Sequence, residues 1–409
     1  MILYQLYIDP GTGSALFSIA IGIAAALYFL FRGVLLKLGI VFFRTRKFQS
    51  QYKYAIYAED SRYWPFFETV LDEFEARQIE VHYFTTTEDD PVFTSPYRYV
   101  KGKYIGKGNK AYAFMNFLSA SFVLTTTPHL NVFQWKRSKN VAHYCHMVHG
   151  AGGALLYRLF SLDYFDSILV PGAVEIPEIR MIEQARKLPE KQLITVGNTF
   201  FDRCSEKIRH IPAEEEHRFT VLVSPSWGPC ALLKTFGERL IDPLAKTGWR
   251  IIIRPHPQSS IVEQPMLKKL HERYKNNPDI IWDYNHENMY SLAKSDVMIS
   301  DFSGIIYDFV FLFDKPVLVN THNLDTRRLD AHTAQTEPYY LRALSDIGIE
   351  LNECSLANIK AVITRISQDA EMQKKRREIK ETMWQHQGES GKRIVDFMIQ
   401  TIEKEYNTP

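Results

Sequence analysis

The sequence predicts an α/β protein. Two doubly wound domains face a cleft, preceded by an N-terminal transmembrane helix. Three observations lead there. Short apolar runs alternate with helical periodicity twice, over residues 49–212 and again over 213–385. A polar stretch holding Pro212, from Arg209 to Arg218, separates the two rhythms. Before both, Ala15 to Phe31 runs 17 residues without a charge and is followed by Arg32 and Lys37.

Taken in order, residues 1–48 read as a membrane anchor. A second apolar run, Leu38 to Phe43, ends in Arg44-Thr45-Arg46-Lys47. There is no basic stretch before the apolar run and no small-residue cleavage site after it, so a cleaved signal peptide fits poorly. Basic residues on the C-terminal side put the body of the protein in the cytoplasm, on a single-pass anchor in the inner or cytoplasmic membrane.

In the first domain, strands are expected at Tyr54–Tyr57, Ile79–Phe84, Ser121–Thr125, Val141–Val148, Phe165–Val170 and Leu193–Val196. A helix over 64–77 presents Phe66, Phe67, Val70, Leu71 and Phe74 on one face. Tyr97 to Lys110 carries five basic residues and no acid, and reads as a solvated loop that can face a membrane. In the second domain, strands are expected at Phe219–Val223, Trp249–Ile253, Ile280–Trp282, Val297–Ile299 and Pro316–Val319. A helical, highly charged tail begins at Asp369, and residues 386–409 are set apart as a C-terminal tail.

Composition narrows the function. The chain has 409 residues, 49 basic and 47 acidic, for a net charge of +2, which gives no bulk attraction to nucleic acid. The four cysteines, Cys145, Cys204, Cys230 and Cys354, form no CxxC pair, so neither a disulfide scaffold nor a zinc framework is expected. His143, Cys145, His146 and His149 crowd one strand, but alternate residues face opposite sides and no distant second pair exists.

Three places carry chemistry. Asp296 to Phe313 reads strand, turn, helix, with Ser300, Asp301, Ser303 and Gly304 in the turn. The first amides of such a helix have no internal partner and attract phosphate. Arg254-Pro255-His256-Pro257 places a forked cation and an imidazole at a strand end, stiffened by two prolines. His149 stands at another strand end, before the glycine-rich turn Gly150 to Gly153. That turn lacks both GxxxxGK[ST] and GxGxxG, so ATPase and dinucleotide fingerprints are absent. Together these groups describe a diphosphate site across a cleft, with no acidic cluster for a metal and no cofactor expected.

Five segments in order resemble the CDP-glycerol glycerophosphotransferases, the teichoic acid primases and polymerases of GT-B type. Val148-His149-Gly150 resembles the family's Trp-His-Gly. Val196 to Asp202, with Asn198, resembles its Gly-x-Pro-Arg-x-Asp segment. Val221 to Trp227, with Ser224 and Ser226, resembles Ala-Pro-Thr-Trp. Arg254 to Pro257 matches Arg-x-His-Pro. Ser300 to Gly304 resembles Thr-Asp-Tyr-Ser-Ser, with Gly304 in place of the second serine.

The resemblance implies a GT-B-like pair of Rossmann-type domains. It implies transfer of a polyol phosphate from CDP-glycerol, or another CDP-polyol, to a hydroxyl of a lipid-linked saccharide or polymer, with release of CMP. His149 would be the general base. His256 and Arg254 would hold the donor diphosphate, with Ser300, Asp301, Ser303 and Gly304 at a phosphate. Ser224, Ser226, Trp227 and Asn198 would line the nucleotide or the cleft. A nucleotide-sugar glycosyltransferase and a non-catalytic glycan-binding scaffold are the alternatives.

Overall fold

The computed structural model describes residues 50–407 apart from 151–152, 213–215, 286 and 322–325, plus the helical positions Ile23, Leu27, Tyr28 and Leu30; for 405–407 only the backbone is described. Residues 1–49 form one unit and 50–409 another. Apart from those four positions, the anchor expected over 1–48 lies outside the described residues. Among the described residues, no helix is long and apolar enough to cross a membrane.

The larger unit is built on two parallel sheets. The first, among the described residues, has seven strands: β1 (Tyr52–Ala58), β2 (Val81–Thr85), β3 (Val100–Tyr104), β4 (Ala120–Thr125), β5 (Val141–Met147), β6 (Ser167–Val170) and β7 (Gln192–Thr195). Their order is β3-β2-β1-β4-β5-β6-β7. The second has β8 (Thr220–Val223), β9 (Arg250–Ile253), β10 (Ile280–Trp282), β11 (Val297–Ser300), β12 (Val317–Val319) and β13 (Gly348–Glu350), ordered β10-β9-β8-β11-β12-β13. Every pairing is parallel. Parallel strands are covered on both faces, which is why Thr220–Val223 and Val297–Ser300 are buried along their whole length.

Each sheet reverses its strand order once, between β1 and β4 in the first and between β8 and β11 in the second. Crevices form at the carboxyl ends of strands at such reversals, and ligands bind there. The Ser224–Trp227 loop leaves β8 and the Asp301–Gly304 turn leaves β11, so both flank the second reversal.

The Lys-rich segment 97–110 departs from its reading as a loop. Val100–Tyr104 pairs with β2 as an edge strand, with Lys101 and Lys103 exposed. Lysines on an edge strand discourage pairing with another chain, and this is a sufficient reason for their density.

The C-terminal helix, Ser390–Asn407, returns to the first sheet, where Ile394, Val395, Met398 and Ile402 join the core under the Trp64–Ala76 helix. A Cβ at Gly391 would lie 2.2 Å from the Thr69 carbonyl, so the two helices meet backbone to backbone. Asp202 fastens this return. It accepts from Trp384 Nε1 at 3.1 Å, Gly388 N at 2.7 Å and Ser390 N at 3.0 Å, and from the Ser390 hydroxyl. Gly197 has φ +91°, and a side chain there would strike the Gln385 carbonyl at 2.6 Å.

Candidate active site

His149 follows β5, two residues past its end. Its ring packs edge-on against Tyr63 and Phe66, with centroids 5.4 and 5.3 Å away, and stacks beside Tyr157. This aromatic wall strips water from the ring. Burial therefore pulls its pKa down to about 4, which keeps the imidazole neutral at pH 7. The Tyr157 hydroxyl lies 3.4 Å from His149 Nδ1 and 3.3 Å from Nε2 of the fully buried His146, so it bridges the two rings. Burial pushes His146 down to about 3. The turn behind His149 is held from a distance. Asn198 Nδ2 donates to the Gly150 carbonyl at 3.1 Å, while Asn198 Oδ1 caps the Thr199–Ile208 helix through Phe201 N at 3.0 Å. Ala151 and Gly152 lie outside the described residues.

In the second domain, the ends of β9, β8 and β11 lie side by side. His256 follows β9 between its two prolines. Gln258 N donates to His256 Nδ1 at 3.0 Å, so in the neutral ring the proton sits on Nε2. The ring lies 6.3 Å from that of the half-exposed Trp227 on the neighbouring loop. Burial lowers the His256 pKa, with the charges of Asp301 and Glu263 opposing. The result is a neutral histidine with a defined N–H donor.

Asp301 and Ser300 sit deeper than a ligand reaches. Asp301 is fully buried and accepts from Ser226 N at 3.0 Å, the Ser226 hydroxyl at 2.9 Å and Leu232 N at 2.9 Å. It ties the β8 loop to the end of β11. Burial raises its pKa against these hydrogen bonds. The Ser300 hydroxyl donates to the Ser224 carbonyl at 2.5 Å and is likewise buried. Ser224, Ser226, Ser300 and Asp301 are thus brought together as a scaffold. Trp227, Ser303 and Gly304 reach the surface above it.

Arg254 is also committed inside the protein. Its guanidinium meets Asp283 at 2.5 Å and the Asn285 carbonyl at 2.6 Å, with only 8% of the residue exposed. Asp283 also accepts from the Ser291 hydroxyl at 2.5 Å and from Asn285 N at 2.9 Å, and these contacts hold its pKa below the usual carboxylate range. The pair fixes the loops after β9 and β10, and so the position of His256.

The Ile305–Phe313 helix begins at Gly304, with Ile306 N donating to the Ser303 carbonyl at 3.2 Å as its first turn. The cap glycine supplies no side-chain cap. Amides ahead of that first bond have no partner inside the helix. A Cβ at Gly304 would meet only the Tyr340 hydroxyl, at 3.9 Å. The same helix is tied to the His149 side, since Phe311 packs edge-on against Phe201 at 5.7 Å in the helix that Asn198 caps.

Sequence reasoning missed Tyr157 and Gln258. Tyr157 lies beyond the glycine-rich turn, with no motif around it. Gln258 acts through its backbone, so its residue type carries no signal.

This fold and site define a class: two-domain parallel-sheet α/β proteins of the GT-B type, with a histidine at a strand end in each domain. Residues 233–400 match the family model of CDP-glycerol:poly(glycerophosphate) glycerophosphotransferase, a segment holding Arg254, His256 and Ser300 to Gly304. Over that segment the chain is similar to the glycerophosphotransferases. No curated protein matches the sequence. Among solved structures, the chain is similar to the wall teichoic acid polymerase TagF at 15% identity and TM-score 0.56, covering 87% of this chain and 90% of that one. It is equally similar to the UDP-GlcNAc 2-epimerase of Neisseria meningitidis, at 15% identity and TM-score 0.56, over 85% and 100% of the two chains. At these identities the likeness is one of fold.

Proposed function

We propose that the protein transfers glycerol phosphate from CDP-glycerol to a hydroxyl of a lipid-linked saccharide, at the cytoplasmic face of a membrane to which residues 1–48 tether it. The acceptor oxygen attacks the glycerol-bearing phosphorus. The bond from that phosphorus to the bridging diphosphate oxygen breaks, and CMP leaves. His149 takes the acceptor proton. In the proton order that suits a base, His149 Nδ1–H donates to Tyr157 and Tyr157 donates to His146 Nε2, so His149 Nε2 carries the lone pair. The negative diphosphate, once bound nearby, raises the ring's pKa toward the working pH, where general-base catalysis is most effective.

The observation that carries this reading is the family-matched second domain, with His256 Nε2–H and the Ser303–Gly304 helix start on strand ends that flank β8. A fixed N–H donor and unpaired helix amides stabilise charge on a departing phosphate without a metal ion. Arg254 and Asp301 act by positioning these groups. The test is 31P NMR of the full chain with CDP-glycerol and membranes supplying acceptor. Appearance of CMP with a new phosphodiester signal supports the proposal. Unchanged CDP-glycerol contradicts it.

A further inference from the structure

A cavity of about 250 Å³ opens outside the carboxyl ends of the neighbouring strands β1 and β2. It is lined by Tyr57, Glu59, Asp60, Arg62, Tyr63 and Tyr112, among others. None of these belongs to the donor groups of the second domain. Tyr63 connects the cavity to the base, because its ring also forms the wall against His149.

The lining decides what fits. Tyr57 is 1% exposed, and its hydroxyl hydrogen-bonds to no described residue, although it borders the cavity. That hydroxyl keeps contact with the open cavity, where water or a ligand hydroxyl pairs with it. Glu59 faces the same space, its pKa raised by burial and then by the charge of Asp60. Arg62 is held by Asp60, with Nε to Oδ1 at 2.9 Å, so its charge is largely spent locally. What remains is a slightly acidic, aromatic, hydroxyl-accepting hollow. Its volume falls below the roughly 300–1,000 Å³ of drug-sized sites, so it takes one small unit. With Asp60 and Arg62 paired to each other, a phosphate would meet the carboxylate of Glu59 and be repelled.

We propose that this cavity seats one neutral, hydroxyl-rich unit of the acceptor, a sugar or polyol, and disfavours a polyanionic chain end. The proposal rests on the transferase reading above. It implies that the chain starts a polymer, or decorates a saccharide, rather than extending a poly(glycerol phosphate).

Saturation-transfer NMR on the full chain tests it, using glucose, N-acetylglucosamine and glycerol against glycerol 3-phosphate, with CDP-glycerol affinity measured in parallel. Transfer to at least one neutral probe is expected, reduced at least ~5-fold in both Glu59→Gln and Tyr57→Phe, with CDP-glycerol affinity kept within ~2-fold in both variants. Stronger binding of glycerol 3-phosphate than of every neutral probe, no transfer to any neutral probe, or transfer unchanged in both variants would overturn it. If wild-type chain fails to bind CDP-glycerol, the donor reading falls, and the sugar signals still decide the cavity's role.

Discussion

The backbone amide of Gln258 donates to Nδ1 of His256 at 3.0 Å and thereby assigns the ring's proton to Nε2. The two prolines restrict the backbone on either side of the ring, and the hydrogen bond sets which nitrogen carries the proton. His256→Ala should lower kcat for CMP release at least ~100-fold, the scale of an acid–base group. Gln258→Pro removes the amide donor, at the added cost of pushing Pro257 out of the helical conformation that the His256–Ser259 turn requires. It should cost about tenfold, read as kcat at saturating donor.

On the acceptor side, His149→Ala should also lose at least ~100-fold in kcat. Tyr157→Phe keeps the ring stack and removes the hydroxyl that bridges His146 and His149. An intermediate loss, about tenfold in kcat with donor KM unchanged, is expected. A change in donor KM instead would place Tyr157 outside this relay.

Gly304 has room and an ordinary φ of −56° for a side chain. Gly304→Ser would restore the second hydroxyl that the glycerophosphotransferases carry at this place. A hydrogen bond to a charged group contributes about 1.5–3 kcal/mol. Donor KM should therefore fall at least ~5-fold, measured by initial rates of CMP release.

Stability should respond to pH in opposite senses at two buried groups. His149 is depressed to about 4, so between about 6.5 and 4 the unfolded chain binds more protons. Its contribution is complete above pH 6.5 and is lost as pH falls toward 4. Glu175, raised to about 8 by burial and then by Glu178, behaves oppositely. Its contribution is complete below about pH 4.5 and is lost as pH rises to 8. Thermal melts of Glu175→Gln should gain on wild type progressively from pH 5 to pH 8.

Asp301 is the keystone of the donor-side scaffold. Asp301→Ala leaves two amides and a hydroxyl without their acceptor, at about 1–3 kcal/mol each and not additively. Urea unfolding should show a loss of about 3 kcal/mol or more.

Much of this was legible in the sequence, for physical reasons that differ by element. Parallel strands such as Val297–Ser300 announce themselves because both faces are buried and the run is apolar throughout. The edge strands β3 and β13 did not. Val100–Tyr104 is lysine-rich because an edge needs charge, and Gly348–Glu350 is too short to show a pattern. The return of the last helix was hidden too. Its charge masked the apolar face of Ile394, Val395, Met398 and Ile402. At the site, residue types pointed to His149, His256 and the 300–304 turn. They did not reveal that Arg254 would be spent on Asp283, or Ser300 on Ser224, since both depend on loops distant in sequence.

A donor screen on the full chain, with membranes as acceptor, tests the transfer chemistry most directly. Nucleotide release is measured from CDP-glycerol and CDP-ribitol alongside UDP- and GDP-sugars. The proposed chemistry predicts CMP release from CDP-glycerol, dependent on His149 and His256. Release of UDP or GDP from a sugar donor, with CDP-glycerol and CDP-ribitol untouched, would contradict it.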